Sequence, residues 1–486
     1  MGVTGITALG AYIPWHRISR RAIAAQTGWL SGAKGDDSER SWTNWDEDTV
    51  TMAVEAARDC LVEQPADALR ALTVCSTTAP FADRASSAIL IDALGLPTDS
   101  LTADTGGSLR AATSALLATL RGNSGPTLCV ASEQITTAIG SPEELIFGDG
   151  AAAALVGDDP PVLEFLSGAT VAGDFVDHFR AADRRHNYWW ESRWIRDEGI
   201  AKLVPQAVSD ALASAGLEPT AVDRFVFPTP VRGAAALAAR KAGISSHAVE
   251  AEVTSQVGFA GAAAPLLDLA AACERATPGE IIVVAAFGAG ADALVFRRTS
   301  EPLCAAGHGP SGWVPRRRRE DNYVKFLAAR GEVALGTGMR GEFDEKQSMP
   351  ALWRNRQAML GLQAAADDKG QRFPPAAGTP HEASRVELAN RPATITTFTA
   401  DHLAFSLNPP TMYGLIDFPE GGRMLVEYCD TEVEALEVGR EVHMMFRIKA
   451  KDERRGFRSY FWKATPTRPS TRVERGSSCH KASETA

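Results

Sequence analysis

At 486 residues and 45% hydrophobic content, the chain is long enough for two or three domains with sizeable cores. A net charge of −10 excludes a nucleic-acid role, because phosphate binding needs a basic face, and no run approaches the roughly 18 apolar residues of a membrane helix. The N-terminal MGVTGITALGAYIP lacks the basic start and apolar centre of a signal peptide. The cysteines Cys60, Cys75, Cys129, Cys273, Cys304, Cys429 and Cys479 are odd in number and scattered, with no CxxC, which points to a reducing cytoplasm.

In chain order, residues 5–12 read as a strand, 46–61 (DEDTVTMAVEAARDCL) as a helix with an acidic first turn, and 71–76 as a strand. Residues 101–120, LTADTGGSLRAATSALLATL, read as a loop of small residues running into an amphipathic helix. Leu109, Ala112, Leu116 and Leu120 recur at helical spacing, so the helix is expected from near Ser108, with Gly107 or Ser108 as N-cap. Backbone N–H groups at such a start favour a developing negative charge and suit a catalytic loop. The plainer reading is a core helix after a tight turn. Strands follow at 127–132 and, through a glycine hinge, in FGDGAAAALV at 147–156. The alternation predicts a mostly parallel, layered sheet.

The pattern then repeats: 201–215 resembles the first helix, 224–229 the strand after it, and 279–297 echoes TLCVASE plus FGDGAAAALV. Two copies about 150 residues apart predict a duplicated domain, with halves at 1–160 and 161–300 and a site where they meet. Between them, 174–198 (DFVDHFRAADRRHNYWWESRWIRDE) sets His178, His186, Tyr188 and Glu191 among aromatics. Aromatic burial moves such groups toward neutral pKa values, which makes His186, Glu191 and Tyr188 candidate bases. The competing reading is a packing cap built on Trp189, Trp190 and Trp194.

Residues 301–345 are expected to be a linker and docking helix, the helix lying at 322–330. The run Arg316 to Arg319 either meets ligand phosphates or is a solvated face. After a helix at 349–362, five short alternating strands between 394 and 464 predict a small barrel of OB type over 393–465, and 466–486 is expected to be disordered.

The first 300 residues or so resemble the thiolase superfamily, closest to 3-hydroxy-3-methylglutaryl-CoA synthases and their ketoacyl synthase cousins, through DEDTVTMAVEAA, VASE with FGDGAAAALVGDD, and FGAGADALVF. The C-terminal part resembles the zinc-ribbon and OB-fold acyl-CoA-associated family, through TADHLAFSLNPPTMYGLIDFPEGGRMLVEY and VGREVHMMFRIK. The resemblance implies a duplicated five-layer αβαβα thiolase fold followed by an OB barrel. It also implies binding of an acyl-CoA or acyl-carrier thioester as substrate, with no permanently bound cofactor.

In that family a cysteine is acylated, a histidine and an asparagine or glutamate handle protons, and backbone N–H groups hold the enolate. Here Leu109 stands at the cysteine position, Pro228 at the histidine, Phe259 at the asparagine and Thr77 at the synthase glutamate. A one-residue shift would offer Ser108 instead, without a base in its motif set. The implied oxyanion donors are backbone groups at Leu109 and in the loop from Gly288 to Gly290, while Asp149 is expected in a structural turn and Arg110 in an ion pair. The zinc-ribbon segment, 346–392, has Ala365 and Asp368 near the thiolate positions. His381 and scattered acids do not make up the four ligands zinc needs, so no metal is expected.

Three functions follow: aldol or retro-aldol chemistry next to a CoA thioester without the cysteine; a non-catalytic scaffold subunit of a thiolase-type complex; or a synthase-like acyltransferase with relocated residues. A homodimer, or a hetero-oligomer with a thiolase-like paralogue, is the expected assembly.

Overall fold

Two runs of five strands repeat one another in a computed structural model that describes residues 4–32, 34–122, 125–157, 159–304, 306–341, 347–368, 370–375 and 384–466. The first run is β1 (Gly5–Tyr12), β2 (Ala71–Cys75), β3 (Leu101–Thr105), β4 (Thr127–Glu133) and β5 (Gly150–Val156). The second is β6 (Leu163–Ala172), β7 (Arg224–Val226), β8 (Val249–Glu250), β9 (Ile281–Phe287) and β10 (Gly290–Arg298). Each run has the same order: β3-β2-β4-β5-β1 in one, β8-β7-β9-β10-β6 in the other. In both, the first three strands of that order are parallel and the last two pairings antiparallel. The two sheets join where Gly5 and Ile6 pair with Glu164 and Leu163. A Cβ on Gly5 would stand 2.2 Å from the Leu163 oxygen, so this junction requires glycine.

Helices α2 (Ala111–Arg121) and α4 (Ala264–Arg275) lie between the sheets and touch both. The outer faces carry α1 (Thr49–Cys60) with Ser86–Leu94 on one side, and α3 (Ala201–Ala215) with Ala234–Lys241 on the other. This is the five-layer arrangement expected. In α4, APLLDLAAACE is almost wholly apolar, and every residue but Arg275 is buried, as a helix enclosed on all sides demands. Its one central acid, Asp268, is satisfied by the Val253 N–H at 2.7 Å and the Thr254 hydroxyl at 2.7 Å.

Two local expectations are corrected. Residues 101–105 are not loop but the edge strand β3, paired in parallel with β2 from Leu101 to Thr105. LTADT has no apolar face to announce a strand, and all five residues are exposed. Helix α2 starts at Ala111, not near Ser108. Arg110 takes the N-cap position and no side chain caps the helix there, while the Ser108 hydroxyl donates to the Gly288 oxygen at 2.7 Å and accepts from the Arg110 N–H at 3.3 Å.

The arginine run is solvated in part, with Arg317 and Arg319 exposed and Arg316 buried, and each member is paired with a carboxylate. Arg318–Arg319 forms a short strand beside His16–Ser19, in a three-stranded sheet completed by Glu39–Trp42. Arg316 is buried against Asp430 at 2.8 Å, Arg317 meets Glu39 at 3.1 Å, Arg318 meets Glu432 at 2.7 Å and Arg319 meets Asp321 at 2.7 Å. Next to it the helix Tyr323–Ala329, capped by Asn322, closes a small core with Ile18, Ile23 and Trp42.

The C-terminal barrel contains β11 (Ala393–Asp401), β12 (Thr411–Asp417), β13 (Arg423–Glu427), β14 (Glu441–Asp452) and β15 (Phe457–Thr465), in the order β13-β12-β11-β14-β15. A parallel bridge between Tyr428 and Ala464 brings the ends together in the OB manner. The barrel sits on the acidic start of α1. Lys463 meets Asp46 at 2.9 Å, the Tyr460 hydroxyl donates to Asp48 at 2.9 Å, and the Phe446 N–H donates to Glu55 at 2.6 Å. Ahead of the barrel, Gln363–Asp367, Gly370–Arg372 and Ser384–Glu387 form a three-stranded sheet with Ala365 in its first strand. His381, Cys479 and the tail 467–486 lie outside the described residues. Among those described, no group of three or more His, Cys, Asp or Glu could hold a metal, and no helix is long and apolar enough to cross a membrane.

Candidate active site

The turn ahead of α2 and two loops of the second half converge between the sheets. Leu109, Pro228 and Phe259 line one cavity there, so three of the four substituted positions meet in space. Trp189, Ile195, Ile200 and Phe287 complete most of the wall, and Asp177 is its one charged residue. The cavity measures about 10 Å³, room for about one water. Leu109 is itself buried, and neither its side chain nor those of Pro228 and Phe259 can be acylated or carry a proton.

The fourth position lies apart. Thr77 uses its N–H and its hydroxyl to bind the Glu133 carboxylate at 2.6 and 3.1 Å, and Thr78 adds a third hydrogen bond at 2.7 Å. Glu133 ends β4 with no solvent exposure, and burial pushes its carboxyl up to about 7 despite these donors. Sequence reasoning missed it, although a lone acid closing the strand TLCVASE was the available signal.

The loop that approaches Leu109 from the second half does so at backbone contact. A Cβ on Gly288 would stand 2.8 Å from the Ser108 hydroxyl and 3.0 Å from the Leu109 nitrogen. The Gly288 oxygen accepts from Ser108 and from Arg110, whose Nε is 3.0 Å away, while the Gly288 N–H donates to the Gly290 oxygen at 3.0 Å. The expected oxyanion donor at Gly288 is therefore consumed within its own hairpin. Gly290, with φ of +122°, sits where a Cβ would meet the Val171 oxygen at 2.2 Å. Arg110 pairs with buried Asp292 at 3.0 Å. Asp292 also accepts from Thr113, Ser114 and Thr170, a fully satisfied polar knot between the halves. Asp149 is likewise structural, holding the Thr43 N–H at 2.9 Å and Arg330 at 2.5 Å.

None of the three candidate bases reaches the cavity. His186 bonds Glu332 through Nε2 at 2.9 Å, and Glu332 also holds Arg185. Glu191 accepts from the Trp194 N–H at 2.7 Å and caps its own short helical turn. Tyr188 is 57% exposed. For Tyr188 the reason is strand alternation: His178–Phe179 and Tyr188–Trp189 form a two-stranded hairpin in which Trp189 turns inward and Tyr188 outward. What this segment does bring inward is Asp177, whose carboxylate bonds His178 Nδ1 at 3.0 Å. The His178 ring stacks on Trp189 with centroids 4.2 Å apart.

Residues 212–297 match the family described as the C-terminal part of 3-oxoacyl-[acyl-carrier-protein] synthase III, and residues 386–447 match the C-terminal OB-fold domain of ChsH2. The hydroxymethylglutaryl-CoA synthase of Methanocella arvoryzae is 30% identical over 352 residues, covering 68% of this chain and 98% of that protein. The synthase of Aeropyrum pernix is 28% identical over 348 residues, covering 68% and 95%. Among solved structures, a hydroxymethylglutaryl-CoA synthase complexed with CoA superposes with a TM-score of 0.59 at 18% identity, covering 72% of this chain and 96% of the other. The 3-oxoacyl-(acyl carrier protein) synthase III of Pseudomonas aeruginosa gives 0.54 at 20% identity, covering 62% and 100%.

Proposed function

The chain belongs to the hydroxymethylglutaryl-CoA synthase family of the thiolase superfamily and carries a C-terminal OB-fold domain, and we propose that it is a thioester-binding member without condensing activity that serves as a subunit of a thiolase-type assembly. One observation carries this reading: Leu109, Pro228 and Phe259 meet at a water-sized, largely apolar cavity. Covalent acyl transfer needs a nucleophile with a base in hydrogen-bond reach, and Leu109, Pro228 and Phe259 supply neither. The relatives' substrates suggest the ligand, a CoA or carrier-protein thioester bound without a resident cofactor or zinc.

The assembly face that fits is β3. It ends one sheet with all five residues exposed, and the Leu101 N–H bonds the Arg70 oxygen inward, so the N–H groups of residues 102 and 104 face outward, free for a partner strand. A second copy or a thiolase-like paralogue would extend the sheet there.

A second reading, aldol or retro-aldol chemistry without the cysteine, is favoured by one feature: the Asp177 carboxylate on the cavity wall, partnered by His178. Deuterium exchange separates the two. The purified chain is incubated with acetyl-CoA and butyryl-CoA in deuterated water, and mass is followed at the carbon beside the thioester. The scaffold reading expects no exchange above the protein-free control. Exchange that disappears in Asp177→Asn would replace it with the aldolase reading. The third reading, an acyltransferase with relocated residues, would need a covalent acyl mass on the protein, an oxygen ester if Ser108 is the nucleophile, with CoA released as the thiol.

A further inference from the structure

Resting on the reading of a thioester-binding site, we propose that the cavity opens by outward movement of Trp189 and then admits a neutral, apolar acyl group while refusing one that ends in a carboxylate. Most of the wall is Leu109, Ile195, Ile200, Pro228, Phe259 and Phe287, none of which offers a charge or a side-chain hydrogen bond, and Thr229 is its one uncharged hydroxyl residue. Among the described residues no lysine, arginine or histidine lines the space, and the one ionisable side chain is the carboxylate of Asp177, 5% exposed. An acyl carboxylate entering there would lose its water, find no cation and face a like charge. A hydrocarbon chain would lose only water it gains by leaving.

Trp189 is the movable wall. It belongs to a hairpin held by two residue pairs, Tyr188 with Phe179 and Trp189 with His178, and its indole rests on His178 and on Phe147, centroids 5.2 Å away. The rest of the hairpin is fastened by polar side-chain and backbone contacts: Arg185 and His186 on Glu332, Arg185 on the Arg330 oxygen, Arg180 on the Thr77 oxygen and the Thr136 hydroxyl on the Arg185 oxygen. The other walls belong to the helical segment Ile195–Ile200, to the ends of sheet strands and to loops packed on them, and are fixed by the layers behind them. Opening through the hairpin therefore leaves the strands of the large sheet paired.

Titration calorimetry with octanoyl-CoA, succinyl-CoA and free CoA tests this, with tryptophan emission followed in parallel. Octanoyl-CoA is expected to bind at least about tenfold more tightly than either of the others and to shift the emission, a shift that Trp189→Phe reduces. Trp189→Ala, which leaves the space open, is expected to tighten octanoyl-CoA further, because no indole has to be displaced. Asp177→Asn is expected to narrow the gap between succinyl-CoA and octanoyl-CoA. Equal affinity for the two acyl chains, or octanoyl-CoA binding that Trp189→Ala leaves unchanged, would overturn the proposal while leaving thioester binding intact. Failure of all three compounds to bind would instead remove the thioester-binding reading itself, and this proposal with it.

Discussion

Glu133 concentrates the chemistry that the cavity lacks, yet its carboxyl faces threonines and not a substrate. Its folded pKa of about 7 stands above the ordinary 4.5, so folding takes up a proton between these values. The sign follows: the stabilisation is complete below about pH 4.5 and is lost as pH rises through 7. Asp268, raised to about 6 by burial, adds to the same trend. Urea denaturation from pH 5 to 8 is therefore expected to show falling stability, with a shallower slope in Glu133→Gln, which keeps the threonine contacts without the titration. An unchanged slope would mean that Glu133 stays ionised. At Leu109, a restored thiol is expected to do nothing: Leu109→Cys gains a nucleophile but no base, so incubation with acetyl-CoA should leave the protein mass unacylated. Truncation there to alanine should cost about 2–5 kcal/mol of stability, the usual range for emptying a buried leucine site, readable by chemical denaturation.

At the scale of elements, the exposed edge β3 and the hairpin over the cavity are the parts whose behaviour the packing leaves open. Thr102→Pro removes one outward N–H without touching the bonds to β2, so the fold should survive while any partner strand is lost. Light scattering on the purified chain and on this variant measures it: a dimer that becomes a monomer supports pairing through β3, and a dimer that persists places the interface elsewhere. The hairpin illustrates why element-level reading of sequence fell short. His186, Tyr188 and Glu191 share a segment with the cavity residues Asp177 and Trp189, and tertiary contacts separate them: pairing turns Tyr188 away from the side that Trp189 faces, Glu332 draws His186 aside, and Glu191 caps the turn that follows.

Over the whole molecule, the OB barrel and the layered domain are joined by charge buried on both sides. Arg447, 0% exposed, holds Asp430 at 2.6 Å and the Tyr12 hydroxyl at 2.9 Å, and Asp430 in turn holds Arg316. The two guanidiniums keep the Asp430 carboxyl well below the usual carboxylate range. Removing one partner would strand the other, so Arg447→Ala is expected to cost about 3–5 kcal/mol and to uncouple the barrel, seen as a second transition in calorimetry. Arg84 adds a separate clasp, its guanidinium packed between Phe81 and Phe457 at 4.7 and 4.6 Å. The motif DEDT that first suggested the family thus serves in this chain as the seat of its own barrel.

The alternation of strands and helices, the duplication and the barrel strands were legible in the sequence because each is a local periodicity repeated over enough residues to stand out. The chemistry that Leu109, Pro228 and Phe259 cannot do was equally legible, since a leucine, a proline and a phenylalanine are what they are wherever the chain takes them. What only the tertiary structure decided was position. It turned LTADT, with no apolar face, into an edge strand because a neighbour offered a ladder. It set Arg316, Arg317 and Arg318 against carboxylates brought from distant parts of the chain, and it gathered Leu109, Pro228 and Phe259 around room for one water. Those outcomes depend on contacts between residues far apart in sequence, which no local pattern encodes.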